Sequence, residues 1–259
     1  MMEKVSLSVI LAFIMLTVPL MASTKADIPD YVENIDEENT SPKKSEEQNN
    51  VEPSNLVNTL MDGLNIEIEN PELVQLLNES SLNPSPLAFG YRGNIYLGRW
   101  PLRYDSEESN VKWEFQVVNT NEVDNRYGDK EESVYYHQEE DKHVKGALTA
   151  KVDRANQIKQ MVLNKASQQV DLPLTFHAVI GNDTKLSKTY AIPKGDIGRL
   201  EAYLPVLQEK GQITYGEVYL ELKGSGKELV IKNVTKQEVG AIIPVQNHLA
   251  FKFQSKGAQ

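Results

Sequence analysis

Between residues 137 and 143 the chain reads HQEEDKH, which in an extended conformation sets His137, Glu139, Asp141 and His143 on one side of the backbone. Imidazole and carboxylate together suit zinc or manganese, so His137, Glu139 and His143 are the metal candidates. The H-E-x-x-H spacing of metalloproteases is absent, and no distant ligand is evident from spacing. A solvated acidic loop with two incidental histidines accounts for the same residues. His177 and His248 fall opposite the apolar alternation of their segments and read as exposed strand positions.

Other constellations are weaker. NTNEVDNRYGDKEE gathers oxygen donors at Asn119, Asn121, Asp124, Asn125 and Asp129, the ligand type calcium prefers, but without the D-x-[DN]-x-[DN]-G spacing of a dedicated loop. Tyr96 and Trp100 lie four apart beside Arg92 and Asn94 on one strand face, with Trp113 and Phe115 following. Flat rings next to guanidinium and amide groups make Arg92, Asn94, Tyr96 and Trp100 a candidate ligand platform; burial in a core explains large aromatics equally. Ser41 and Lys44 satisfy S-x-x-K inside an acidic linker where no pocket can form, and KGSGK at 223–227 has neither lipase-elbow nor phosphate-loop spacing. No catalytic residue is identified, and no cofactor is called for.

The positions of these groups depend on what the chain can fold into. The first residues carry Lys4, an apolar run from Val5 to Ala22 broken by Ser6, Ser8, Thr17 and Pro19, and a small-residue site at Ala26. That reads as an export signal over 1–26, cleaved near Ala26, because the run is marginal for the roughly 20 apolar residues of a spanning helix. Cysteine is absent, which removes disulfides, thiolate metal sites and thiol nucleophiles. Of the net charge of −10, most sits in residues 27–82, where fourteen acids face Lys43 and Lys44. Residues 27–53 read as a disordered acidic linker, too poor in apolar clusters to offset ordering entropy.

A single domain is expected over 54–259. Ser54 can cap a helix ending at Gly63, and Asn70 with Pro71 starts a second through ELVQLLNE. Ala155, Ile158, Val162 and Ala166 are spaced three or four apart and predict one longer helix over 153–170. The remainder alternates like strands, with EKGQ at 209–212 and KGSGK at 223–227 as glycine-bearing hairpin connections. The fold class expected is α+β: a mostly antiparallel sheet with one longer helix and short N-terminal helices. Gly93 to Leu97 and Gly216 to Leu220 share G-x-[IV]-Y-L without a repeat period; duplication and chance composition both explain the match.

The blocks NPELVQLLNESSLNPSPLAFGYRGNIYLGRWPLRYDSEESNVKWEFQVVNTNEVDNR, HVKGALTAKV, TYGEVYLELKG and KNVTKQEVGAIIPVQNHLAFKF resemble the YfkD-like family of exported proteins from Bacillus-type bacteria. The resemblance runs from about residue 54 to the C-terminus. It implies a Gram-positive envelope setting and carries over no functional residue. Residues 142–259 hold 17 bases and 10 acids, spread over many strands. Expected partners are therefore cell-wall polymer or another envelope protein, with the membrane a partner only if the signal is uncleaved; nucleic acid is not expected, since no basic-aromatic or helix-turn-helix pattern exists. The function expected is an extracytoplasmic, non-enzymatic binding or structural module. The alternative is a wall-acting hydrolase using Asp or Glu as acid and base.

Overall fold

The computed structural model describes residues 26–41, 51–80, 92–224 and 226–257. The apolar run expected to act as an export signal, Lys44 of the S-x-x-K match and most of the second half of the expected acidic linker lie outside them. Strand takes 56% of the described residues and helix 15%, so the protein is mostly β and the α+β expectation is corrected. The cause is strand length. Segments that look like separate short strands are continuous.

Three strands carry the architecture. Strand β2 (Arg92–Asp124) and β8 (Asp196–Lys223) pair antiparallel along nearly their full lengths. The other edge of β8 is shared, its first part by β10 (His248–Gly257) and its second by β9 (Gly226–Pro244). Strand β1 (Val32–Asn34) extends this sheet beyond β10, and β5 (Ala147–Leu148) extends it beyond β9. Two small ribbons, β3 (Glu132–His137) with β7 (Lys185–Ile192) and β4 (Lys142–Lys145) with β6 (His177–Ile180), stand apart from it. Among the described residues β2 pairs only with β8, so Pro101, which lacks an N–H for the ladder, is tolerated on it.

EKGQ at 209–212 is not a turn. It lies inside β8, where Gly211 permits a close approach: an added Cβ would stand 2.3 Å from the Asp105 carbonyl oxygen and 2.6 Å from Tyr104 Oη. The acid-rich DSEESN stretch is likewise strand, held through cross-strand polar pairs such as Lys210 Nζ to Glu108 at 2.6 Å and Gln212 Nε2 to Glu107 at 2.7 Å. KGSGK does turn the chain, with Lys223 opposite Gly226 and Gly224 at φ +60°.

Three apolar clusters follow β8 along its length. At one end Leu200, Ala202 and Leu204 pack with Val134, Tyr136, Val144, Ile180 and Leu249. In the middle Leu207, Ile213 and Tyr215 meet Ile158, Val162 and Ala166 of helix α3 (Ala155–Val170). At the other end Val218 and Leu229 meet Val57, Leu73 and Leu77 of α1 (Asn55–Met61) and α2 (Pro71–Glu79). Asn70 caps α2 by accepting from the Glu72 and Leu73 amides. Fully buried, it also donates to Pro101 O at 2.8 Å and Gln157 Oε1 at 3.0 Å, joining α2 to β2 and α3.

The acidic linker also needs correction over its first half. β1 pairs with β10, Ile35 is fully buried in the cluster with Leu249, and Ile35 N donates to Asn247 O at 2.8 Å. Asn39 donates to Val179 O and accepts from Gly181 N, both at 3.0 Å. Two apolar residues at the right spacing and a few amides suffice for an edge strand, even where average composition is strongly polar. The folded part thus begins well ahead of Ser54.

Candidate functional site

The outer face of the sheet beyond α1 and α2 presents an aromatic and charged platform. Val218, Leu220, Leu222 and Leu229 turn inward, so the intervening positions of β2, β8 and β9 must face out. Arg92, Asn94 and Tyr96 are exposed there, opposite Lys223, Glu221 and Tyr219. Tyr96 remains 55% exposed although its ring stands 5.0 Å from that of Tyr219, tilted by 40°. Lys232 Nζ lies 4.9 Å from the Tyr219 ring centre.

Charged groups frame the rings. Tyr219 Oη donates to Glu217 at 2.9 Å, and Asn233 Nδ2 donates to the same carboxylate at 2.8 Å; these two bonds, Asn233 first, hold Glu217 below the usual carboxylate range. Lys232 and Lys223 each reach Glu221 at 3.3 Å and lower it in the same way. The platform therefore offers two ring faces flanked by ionised acceptors and by lysine and amide donors. Such a set can stack on a sugar ring and hydrogen-bond its hydroxyls.

Trp100 is not part of it. The register slips between Tyr96 and Gly98, where Gly98 takes φ +112°, and a slip of one residue sends every later side chain to the opposite face. Trp100 is buried in the cluster with α2, its Nε1 donating to Leu97 O at 2.9 Å and its ring covered by the Arg154 guanidinium at 3.8 Å. Tyr219 stands in its place. The signal for it was the repeated G-x-[IV]-Y-L: the two copies lie on neighbouring antiparallel strands, and their tyrosines are direct cross-strand partners.

The metal candidates are separated. His137 sits on β3, with Nε2 3.2 Å from Asp183 Oδ1, beside Lys185, whose Nζ is 3.6 Å from the same carboxylate. His137 and Lys185 together hold Asp183 low. Glu139 shares an open groove of about 220 Å³ with His137 and Asn121. His143 belongs to the other ribbon, where its Nδ1 faces His177 Nε2 at 3.2 Å. Among the described residues, no three His, Asp or Glu side chains are grouped to hold a metal ion. His177 is exposed, as expected from its segment, whereas His248 is buried with Nδ1 2.9 Å from Gln246 O.

The groups proposed for calcium are tied into the fold, and Asn121 Oδ1 accepts from Asn119 Nδ2 and from the His137 amide, both at 3.2 Å. Asn119 and Asn121 turn their Nδ2 groups to His137 O, and Asn125 Nδ2 points at the carbonyls of Lys130, Ile192 and Pro193. Asp124 is clasped by Arg126, which lowers its pKa to about 2. Ser41 Oγ is also engaged, donating to Val179 O at 3.1 Å.

Sequence reasoning missed a buried carboxylate. Glu209 is 1% exposed and accepts from Tyr104 Oη at 3.2 Å and from Ser109 Oγ. Burial, followed by the Glu209 charge, pushes the Tyr104 phenol far above its ordinary value, so it stays a donor. EKGQ reads as a turn, and nothing in the sequence marks its first residue as interior.

A family model described as YfkD-like protein matches residues 29–258, a span that takes in β1. The chain is similar to the Bacillus subtilis (strain 168) protein described as uncharacterized protein YfkD, at 47% identity over 236 residues, covering 91% of this chain and 89% of that protein. Among solved structures, the crystal structure of Lamprey immune protein aligns with 64% of this chain and 53% of its own at 6% identity and a TM-score of 0.25, a likeness too slight to carry an argument.

Proposed function

The chain belongs to the YfkD-like family, and we propose that it works as an exported, non-enzymatic binding module of a bacterial envelope whose Tyr96–Tyr219 platform holds a hydroxyl-rich wall polymer. The exposed Tyr96, paired across the strands with the half-buried Tyr219, carries this reading. A ring that packs on one side against Tyr219 yet stays 55% exposed leaves apolar surface in water, and a stacked ligand would cover it. The framing Glu217, Glu221, Lys232 and Asn233 supply hydrogen bonds of both polarities. Export rests on Lys4, the apolar run and Ala26. A carboxylate-dependent hydrolase would need one carboxyl held protonated near neutral pH. Among the described residues, the carboxyls with displaced titration, Asp124, Asp183, Glu217 and Glu221, are all held low, which favours the module.

The test uses protein recovered from the extracytoplasmic fraction, where mass spectrometry should place the N-terminus within a few residues of Asp27. That protein should cosediment saturably with isolated wall glycan. Tyr96→Ala should weaken binding about tenfold, the scale of an aromatic hot spot, while leaving thermal unfolding in place. Unchanged cosedimentation by Tyr96→Ala and Tyr219→Ala would refute the platform, and intact Met1 in the membrane fraction would refute cleavage.

A further inference from the structure

The ribbon of β4 and β6 brings together two histidines from residues 34 apart in sequence. Its register sets Lys145 opposite His177 and His143 opposite Val179, so the two imidazoles are diagonal neighbours on one face. Val144, Ala178 and Ile180 point the other way and are buried, which fixes the backbone beneath the rings. Both histidines are exposed. Their ring centres lie 5.4 Å apart, and Nδ1 of His143 stands 3.2 Å from Nε2 of His177.

That separation has a chemical meaning. Two imidazole nitrogens bound to one metal at about 2.0–2.1 Å on adjacent tetrahedral positions are roughly 3.3 Å apart. The pair already stands at that spacing, on a backbone held by strand pairing; chelation exchanges the hydrogen bond between the two nitrogens for the metal, the shared proton moving to the far nitrogen of its ring as both rings turn their lone pairs toward one point. We propose that His143 and His177 form a two-imidazole site for a divalent late transition-metal ion, with water completing the coordination. Neutral imidazole suits copper, nickel and zinc, and the order of affinities should put copper(II) first. Two protein ligands make the site weaker than a closed structural centre. His137 takes no part, being occupied with Asp183.

The site is tested by titrating untagged protein at neutral pH with copper(II), nickel(II) and zinc(II) salts, followed by calorimetry and by electron paramagnetic resonance of the copper form. One equivalent should bind, with copper tightest and a spectrum showing two coupled imidazole nitrogens. His143→Ala and His177→Ala should each weaken binding at least tenfold and reduce the coupled nitrogens, while His137→Ala should leave both unchanged. Circular dichroism of each exposed-residue variant checks that it folds. Wild-type affinity in His177→Ala, or a wild-type spectrum in His143→Ala, would overturn the proposal.

Discussion

Replacing Ile35 by alanine tests whether the acidic N-terminal segment is part of the fold. Ile35 is fully buried beside Leu249 and Phe251, its amide bonded to Asn247 O and its carbonyl accepting from Asn39 N at 2.7 Å. The substitution removes three carbons from a packed site whose walls are β-strands that cannot easily collapse. Lost transfer energy and residual cavity together cost about 2–5 kcal/mol for such a change. Taking about 3 kcal/mol, and about 2–4 °C per kcal/mol for a domain of this size, the Tm should fall by about 6–12 °C. Chemical denaturation with an unchanged m-value is the primary assay, and differential scanning calorimetry checks the Tm. Glu38→Ala, at an exposed neighbouring position, is the control and should stay within about 0.5 kcal/mol. If Ile35→Ala also stays within about 0.5 kcal/mol, the segment is a solvated linker and β1 is not part of the sheet in solution.

Two further outcomes follow from local geometry. Gly211→Ala should destabilise by about 1–3 kcal/mol, because its Cβ would stand 2.3 Å from backbone, whereas Gly63→Ala meets nothing within 4 Å and should be nearly neutral; equal stability of the two in urea would refute the close approach under Tyr104. Arg126→Ala should raise the Asp124 titration midpoint from about 2 toward 3.8, followed by carboxyl carbon NMR. Because the folded value lies below the unfolded one, the pairing contributes above the unfolded pKa and is lost as pH falls toward about 2. A midpoint unmoved by the substitution would refute the pairing as its cause.

The features legible in the sequence are those set by neighbours in the chain. Ser54, Asn70 and Pro71 mark helix starts because a cap is a bond to residues two or three positions away, and Asn70 makes it. The three-to-four spacing of Ile158, Val162 and Ala166 is likewise local, and those residues form the buried stripe of α3. What escaped is set across strands. β2 slips its register against β8 at five places, and four of them, at Tyr96/Gly98, Pro101/Arg103, Ser106/Glu108 and Val117/Asn119, set two residues against one and exchange the inner and outer faces, so period-two reasoning fails beyond the first bulge. Trp100, beyond that first bulge, therefore lies on the face opposite to the one its spacing from Tyr96 predicts.

The same cause governs the candidate sites. Spacing along the chain groups His143 with His137, six residues before it, but a ribbon partner 34 residues away holds the imidazole that His143 faces. Tyr219, Asn233 and Lys232 joined Tyr96 through strand pairing, which composition does not reveal. Fold class went astray by a related route: glycine at 211 and the acids of DSEESN are turn signals on local rules, yet a partner as long as β8 can hold such residues in one strand through cross-strand polar pairs and a close backbone approach. A sheet built from strands this long therefore places its chemistry by register, and substitutions that shift the register at Gly98 should disturb the platform more than changes to any one of its side chains.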